Sequence, residues 1–173
     1  MRAVNWYLKR GQLVKDNSYT ALAVKFLQKA RQNLITMSLL SELNDNKKAR
    51  DLLKTPKDYD SNEWVVIAGY YAMYTAAISL LAKIGFRSRN HTATLCVLEE
   101  FFVKNKVLSG DILTSLKSAM FYKEEIEKLS DAKHKREIAQ YSITKQTTKA
   151  IAEKIKKDAY SFIDKCETII ESR

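Results

Sequence analysis

The stretch DSNEWVVIAGYYAMYTAAISLLAKIGFRSRNH, residues 60–91, decides the fold of this chain. From Trp64 to Ala82 it contains no charged residue and no proline. The apolar side chains fall on two faces of the predicted helix: Trp64, Ile67, Ala68, Tyr71 and Ile78 on one, and Val66, Tyr70, Met73, Ala77, Leu80, Leu81 and Ile84 on the other. A helix that is apolar all round is surrounded by other elements, so we expect both faces to be buried.

Both ends of this helix carry sequence signals. Asp60 and Glu63 have the spacing of a capping box, in which the Asp60 carboxylate accepts a hydrogen bond from the Glu63 backbone N–H and Glu63 reaches back. Gly85 is expected to end the helix, because glycine adopts the left-handed conformation without strain. A basic segment, FRSRNH, follows at once. Polar groups therefore stand directly after the most buried element.

An uncharged run of this length could also cross a bilayer, for which about 20 apolar residues suffice. Gly69, Thr75, Ser79 and the tyrosines make the run only moderately hydrophobic, and the rest of the chain is dense in charge. We therefore interpret it as the central helix of a soluble bundle and expect no membrane association.

Composition favours a single all-helical domain over residues 1–173. The chain has 173 residues with one proline and four glycines, which are few turn-forming residues for a strand-rich fold. The apolar residues recur with a helical period throughout. We expect an all-α, antiparallel up-down bundle of four to five long helices plus short helices, with residues 1–17 as an N-terminal extension helix.

The apolar pattern places the individual helices. Asn46 to Lys54 should form a short helix with Ala49, Leu52 and Leu53 facing inward, and Ser18 should cap the first long helix. The other helices are expected at about residues 3–14, 18–43, 92–104, 111–128 and 146–171, with a polar stretch at 129–145 that is bent or partly irregular.

Charge and cysteine content bound the function. The net charge of +10 favours contact with nucleic acid or an acidic partner. Cys96 and Cys166 fall on apolar helix faces, which predicts buried thiols in a reducing compartment. The start, MRAVNWYLKR, lacks the apolar core of a signal peptide, so we expect a cytoplasmic protein. Because phosphate loops and metal-ligand spacings are absent from the sequence, we expect no metal or other cofactor.

Two polar segments could carry chemistry. The first contains Arg87, Arg89, Asn90 and His91, and the second contains His134, Lys135, Arg136 and Tyr141. Histidine moves protons near neutral pH, and arginine can hold a phosphate bidentately, so each segment has the groups that metal-free RNA cleavage needs. The alternative for each is structural: solvated charges, a histidine hydrogen-bonded near a helix start, and a packed tyrosine.

The chain resembles the HEPN family (higher eukaryotes and prokaryotes nucleotide-binding), most closely its small stand-alone prokaryotic members. The pattern FLxKAxxNL of their first long helix corresponds to FLQKARQNL from Phe26, and their GYYAMYxAAxxLL pattern corresponds to the segment from Gly69. Gly85 to His91, the pair Phe101-Phe102 and the stretch Arg136 to Tyr141 follow in the same order. The resemblance covers roughly residues 19–170.

This resemblance implies a bundle that dimerises around a groove between protomers. Many family members are metal-independent ribonucleases, often toxins paired with a small nucleotidyltransferase, with four to six residues between an active-site arginine and the histidine that follows it. Here Arg136 is followed by Gln140 and Tyr141 instead, and the histidine of that segment, His134, precedes it. Arg87 precedes His91 with only three residues between them. The family motif is therefore not intact.

Three functions stay open from the sequence. In the first, the protein is an RNA- or nucleotide-associated dimer, with a degenerate ribonuclease site of His91, His134 and Arg136 and binding residues Arg87, Arg89, Asn90, Lys135 and Tyr141. In the second, it is a non-catalytic partner of a nucleotidyltransferase. In the third, it is a purely structural helical dimer.

Overall fold

The computed structural model describes residues 3–133 and 141–172, and it describes side chains there except at 128–133 and 141–147. Within these ranges the chain forms seven α-helices and two short strands. In chain order these are α1 (Val4–Lys9), β1 (Leu13–Lys15), α2 (Ala23–Asp45), α3 (Lys47–Leu52), α4 (Asn62–Lys83), β2 (Phe86–Ser88), α5 (His91–Leu98), α6 (Gly110–Lys133) and α7 (Tyr141–Glu171). A 3₁₀ helix, Asn17–Leu22, precedes α2, and a π-helical turn, Glu99–Val103, extends α5.

The apolar helix α4 lies at the centre and packs against α2, α5, α6 and α7. Four helices exceed 20 residues, with lengths of 23 for α2, 22 for α4, 24 for α6 and 31 for α7. The all-α, antiparallel up-down bundle of long and short helices is confirmed. By length and composition α4 could cross a membrane, but 72% of its most apolar window is buried inside the bundle. That burial favours the central-helix interpretation.

The directions of the long helices follow from their contacts. The Ser38 and Tyr160 hydroxyls lie 2.6 Å apart, and Lys156 Nζ donates to Ser41 Oγ at 2.9 Å. Residue numbers rise along α2 as they fall along α7, so these helices are antiparallel. The ion pair between Arg31 and Glu167 continues the same series.

Gly69 lies where α4 packs tightly against α2 and α7. A Cβ atom at this position would lie 2.6 Å from Ile155 Cγ2 and 2.9 Å from Met37 Sδ. Real Cβ atoms do not approach other atoms so closely. The glycine therefore lets the three helices pack at a distance that any side chain would prevent.

The last residue of α4 holds the end of α7. Lys83 Nζ donates to the carbonyls of Ile169 at 2.6 Å and Ile170 at 3.1 Å, and to that of Ser172 at 2.5 Å. The last carbonyls of a helix have no partner within it and carry partial negative charge. The lysine ammonium satisfies them and fixes the two helix ends together.

The expected capping box at the start of α4 is wrong. The helix begins at Asn62, and the Asp60 carboxylate accepts from the Asn62 backbone N–H at 2.8 Å, not from that of Glu63. The Ser61 hydroxyl donates to the Leu40 carbonyl at 2.6 Å, which ties the preceding loop to α2. This tertiary contact moves the helix start. The predicted end is confirmed, since Gly85 has a φ of +74°.

The two strands were not expected. The predicted first helix, residues 3–14, ends at Lys9, because Gly11 with a φ of +64° reverses the chain. Leu13–Lys15 then pairs antiparallel with Phe86–Ser88, with Leu13 opposite Ser88. Leu13 is buried in the core, so the chain gains apolar packing by leaving the helix.

Several side chains expected to be buried are exposed. Leu52 is 83% exposed and Leu53 66%, because α3 is short and its apolar side points to solvent. On α4, Trp64 is 56% exposed and Tyr71 43%. The face of α4 that carries them is thus open along part of its length. Cys96 and Cys166 are both buried, as predicted.

Three helix boundaries differ from the prediction. The side chain of Asp16, not of Ser18, caps the 3₁₀ helix that leads into α2, accepting from the Ser18 N–H at 2.8 Å. Helix α6 extends to Lys133, and α7 begins at Tyr141 instead of near residue 146. Residues 129–133 and 141–145, which belong to the stretch expected to be bent or partly irregular, are therefore helical.

Candidate functional site

The turn between β2 and α5 places His91 at a helix start. Asn90 caps α5, since its Oδ1 accepts from the Ala93 backbone N–H at 2.7 Å. The Ser88 hydroxyl donates to the Asn90 carbonyl at 2.7 Å and tightens the turn. The sequence SRNH thus builds a short polar turn whose last residue is the first of α5. Asn90, predicted to bind a ligand, uses its amide oxygen in this cap.

The imidazole of His91 packs into an aromatic cluster on α4. Its Nδ1 lies 2.5 Å from the Tyr70 hydroxyl. Its ring centroid lies 4.5 Å from that of Tyr74 and 5.8 Å from that of Tyr70. Tyr70 is only 1% exposed, so α4 holds the histidine by a buried hydroxyl and two aromatic faces.

The surroundings keep His91 neutral. Burial lowers the pKa of His91, the nearby Lys123 ammonium lowers it further, and Glu124 and Glu127 oppose this in part. Burial, with the neighbouring tyrosines and glutamates, raises the pKa of Tyr70, so its hydroxyl stays protonated. We therefore assign the Tyr70 hydroxyl as donor to Nδ1, which leaves the imidazole proton on Nε2.

Lys123 brings a cation from α6 to the same place. Its Nζ lies 5.8 Å from the ring centroids of both Tyr70 and Tyr71, and it forms an ion pair with Glu127 at 2.6 Å. Only 13% of its side chain is exposed. Burial lowers the pKa of Lys123, but the hydrogen bond to Glu127 and the charges around it outweigh burial and raise it. The ammonium stays charged beside the histidine.

This arrangement sets what His91 can do. A neutral imidazole with Nδ1 occupied by a hydroxyl offers its Nε2–H as a hydrogen-bond donor. To take a proton, it has to give up the hydrogen bond from Tyr70 and carry positive charge next to Lys123. His91 is thus suited to hold a phosphate or carbonyl oxygen more than to act as a general base.

The arginines of the turn are fixed through the backbone and open at the side chain. Arg87 and Arg89 are both exposed. The Arg87 guanidinium lies 5.9 Å from the centroid of the Tyr19 ring, and the Arg89 backbone N–H donates to the Gln12 carbonyl at 2.9 Å. Both guanidinium groups can therefore reach a ligand without unfolding the turn.

An apolar strip along α4 continues from the histidine. We define the α4 stripe as the exposed or half-buried residues Trp64, Ile67, Tyr71, Tyr74 and Ile78. Asn33 on α2 borders it on one side, where its amide donates to the Tyr71 carbonyl at 3.3 Å. Lys123 and His91 border it on the other. The α4 stripe is thus an aromatic surface edged by polar and cationic groups.

Sequence reasoning did not identify Tyr70, Lys123 or Trp64 as site residues. The tyrosines at 70, 71 and 74 read equally well as core residues of an apolar helix. Lys123 lies among alternating charges on α6, which are typical of a solvated face. Only the packing of α6 against α4 shows that this lysine faces the tyrosines.

The second predicted polar segment lies largely outside the part of the chain that the structure describes. His134, Lys135 and Arg136 lie outside the described residues. Tyr141 is the first residue of α7, and its side chain is also outside the described part. Of the predicted site residues, the structure brings together Arg87, Arg89, Asn90 and His91.

Metal binding finds no support in the described ranges. Among residues 3–133 and 141–172, no three His, Cys, Asp or Glu side chains are grouped so that they could hold a metal ion.

Neither the family models nor the curated proteins contain a match to this chain.

Proposed function

We propose that this protein is a HEPN-like domain that acts as a cytoplasmic dimer and binds single-stranded RNA, or a nucleotide, along the α4 stripe. The observation that carries the proposal is the exposure of Trp64 and Tyr71 on α4, the helix that leads into the arginine turn, residues 87–91. Aromatic side chains on which bases stack, next to cations that hold the backbone, are the general means by which proteins bind single strands.

The charges around the stripe support an anionic ligand. Lys123 is already paired with Glu127, so its charge is largely compensated. Arg87 and Arg89 are exposed, and the whole chain carries a net charge of +10. The arginines therefore provide the free positive charge, and the His91 Nε2–H can add a hydrogen bond to a phosphate oxygen.

Binding is the better supported activity, and cleavage is less so. RNA cleavage without a metal needs a group that takes the proton of the 2′-hydroxyl. The Nδ1 of His91 is occupied by Tyr70, and the cation beside the ring disfavours protonation. We therefore propose an RNA-binding protein that has a degenerate ribonuclease site.

The test is fluorescence anisotropy with a labelled single-stranded RNA in EDTA, at several salt concentrations. Binding should weaken linearly on a log–log plot against salt, because counterions are released. Trp64→Ala should weaken it by about 5- to 150-fold, since one base–aromatic stack is worth about 1–3 kcal/mol. Phe121→Ala is the matched control, because Phe121 is equally exposed, at 57%, but lies outside the α4 stripe.

Two outcomes would reject this proposal. Absence of salt-sensitive binding would reject RNA contact as such. An equal loss in Trp64→Ala and Phe121→Ala would reject the α4 stripe as the binding surface. Intact RNA after incubation is expected, and cleavage products would show that the site is an active ribonuclease.

A second candidate function is that of a non-catalytic partner of a nucleotidyltransferase. It is favoured by exposed apolar side chains away from the stripe, at Ile35 and Leu39 on α2 and at Leu52 and Leu53 at the end of α3. Such side chains mark protein contacts when they are contiguous. The mass of the purified protein, alone and with a co-expressed nucleotidyltransferase, separates a dimer from a heteromeric complex. A purely structural protein would have the mass of a dimer and would not bind RNA.

A further inference from the structure

A partly open cavity of about 290 Å³ lies beside the arginine turn. Four elements form it: the 3₁₀ helix, α2, α4 and β2. Its walls are mostly apolar, formed by Leu22, Phe26, Ile78, Ala82 and Phe86. Tyr19 and Arg87 complete the lining. The cavity is thus an apolar chamber with one cationic group.

The cations around the cavity belong to the two strands. The Arg87 guanidinium lies 5.9 Å from the Tyr19 ring centroid, so both groups share one side of the cavity. Lys15, paired with Phe86 across the sheet, places its Nζ 5.2 Å from the Phe86 ring centroid. The Asp16 carboxylate accepts a hydrogen bond from the Ser18 N–H, so this acid is held at the start of the 3₁₀ helix. The cavity therefore has net positive surroundings.

Size and polarity restrict the ligand. A dry protein cavity of about 150 Å³ takes one benzene, so this cavity has room for a body of about two fused rings. Because its walls offer few polar atoms, the polar edges of a nucleobase would lose their hydrogen bonds to water without replacement. An apolar ring system with its charge at one end suffers no such loss. The guanidinium can hold a carboxylate bidentately.

We propose that this cavity binds a small aromatic monocarboxylate. Its rings lie between Phe26 and Ile78, and its carboxylate pairs with Arg87. This site adjoins the RNA surface along the α4 stripe, and Ile78 and Arg87 belong to both.

The probe for the test is 2-naphthoate, titrated into the full chain by isothermal calorimetry. Arg87→Gln should weaken binding by about tenfold or more, because it removes a charge-assisted hydrogen bond. Arg89→Gln is the matched control and should bind like the unchanged protein, since Arg89 does not line the cavity. Ile78→Trp should abolish binding, because the indole fills the space. The neutral analogue 2-naphthamide should bind about tenfold more weakly than naphthoate.

A second measurement on the unaltered chain guards against misfolded variants. The methyl resonances of Leu22 and Ile78 should shift on addition of 2-naphthoate, through the ring currents of a bound aromatic. Unshifted methyls, or equal affinity for naphthoate in Arg87→Gln and Arg89→Gln, would overturn the proposal. Displacement of bound 2-naphthoate by an equal or lower concentration of adenosine monophosphate would assign the cavity to a nucleotide instead and would equally overturn the proposal.

Discussion

The Tyr70 hydroxyl lies 2.5 Å from Nδ1 of His91, and this contact joins the middle of α4 to the first residue of α5. The two residues are 21 positions apart, with a helix end, a strand and a polar turn between them. The contact sets both the tautomer and the orientation of the imidazole. It is therefore the relationship on which the properties of the candidate site depend.

Replacing Tyr70 by phenylalanine should raise the pKa of His91. The hydroxyl donates to the neutral imidazole, and a hydrogen bond to the neutral form disfavours the charged one. The free energy of unfolding should also fall by about 0.5–1.5 kcal/mol, the net contribution of a typical hydrogen bond. Titration of the imidazole Cε1–H resonance by NMR and urea unfolding measure the two effects.

The control for this change is Tyr74→Phe. The Tyr74 hydroxyl lies 3.4 Å from Thr94 Oγ1, while its ring stays against His91 in both forms. The pKa of His91 should therefore hardly move. A lowered His91 pKa in Tyr70→Phe would show that the hydroxyl accepts from Nδ1–H, and an unchanged pKa would show that the contact makes no energetic contribution.

His91 should also make the protein less stable in acid. The pKa of His91 in the folded chain lies below that in the unfolded chain, which is near 6.5. Between these two pKa values the unfolded chain binds more protons than the folded one. Stability from this group is therefore present above about pH 6.5 and is lost as the pH falls through the folded pKa. The variant His91→Gln lacks this pH-dependent contribution to the free energy of unfolding.

The measurement compares urea unfolding of the two proteins from about pH 7 to about pH 5, the range in which histidine titrates. The free energy of unfolding of the unchanged protein, minus that of His91→Gln, should decrease as the pH falls. His134 is present in both proteins and cancels in the difference. A difference that grows in acid would mean that the folded state favours the imidazolium.

Gly69→Ala should destabilise the bundle. The new methyl would meet Ile155 and Met37 at 2.6 and 2.9 Å, so the helices have to move apart. Overpacking of this kind costs about 1–3 kcal/mol and outweighs the gain of about 1 kcal/mol in helix propensity. Thermal and urea unfolding give the net loss.

Gly110→Ala is the matched control for Gly69→Ala. An added Cβ at Gly110 has nothing within 4 Å, so only the unfolded chain is affected. Its stability should stay equal or rise by about 0.4–1 kcal/mol. Equal losses in the two alanine variants would mean that close packing at Gly69 is not the cause.

Lys83→Met should loosen the end of α7. The side chain keeps its apolar length but loses the ammonium that binds the carbonyls of Ile169 and Ile170. We expect a loss of roughly 1–2 kcal/mol, because hydrogen bonds to charged groups are stronger than neutral ones but this site is partly solvated. Amide hydrogen exchange in the last turns of α7 should become faster.

Lys157→Met serves as the comparison, since Lys157 is an exposed lysine on α7 itself. Its stability and exchange rates should change little, as is usual for surface substitutions. Exchange at the end of α7 that is unaltered in Lys83→Met would show that other contacts hold this terminus.

The sequence predicted the helical class and the central helix because both rest on composition and period. An uncharged run that ends at Gly85 predicts a helix in any context, and the structure confirms this helix. Which face of that run is covered depends on how many helices surround it. For this reason the burial of Trp64 and Tyr71 was predicted wrongly.

The strands and the site could not be read from local pattern. A strand of three residues shows no alternation, and Leu13–Lys15 is stabilised by pairing with residues far along the chain. The polar turn around His91 was found, because its residue types stand out after an apolar run. Its partners Tyr70 and Lys123 were not, because their roles arise from helix packing alone.

The pairing of Leu13–Lys15 with Phe86–Ser88 has a practical consequence for observing the site. Ladder hydrogen bonds couple the backbone of Arg87 to that of Val14, its register partner. An isotope label on Val14 can therefore report on the turn, although the segment that contains Val14 holds neither the arginines nor the histidine of the site. Occupation of the turn can be followed there without altering any residue that touches the ligand.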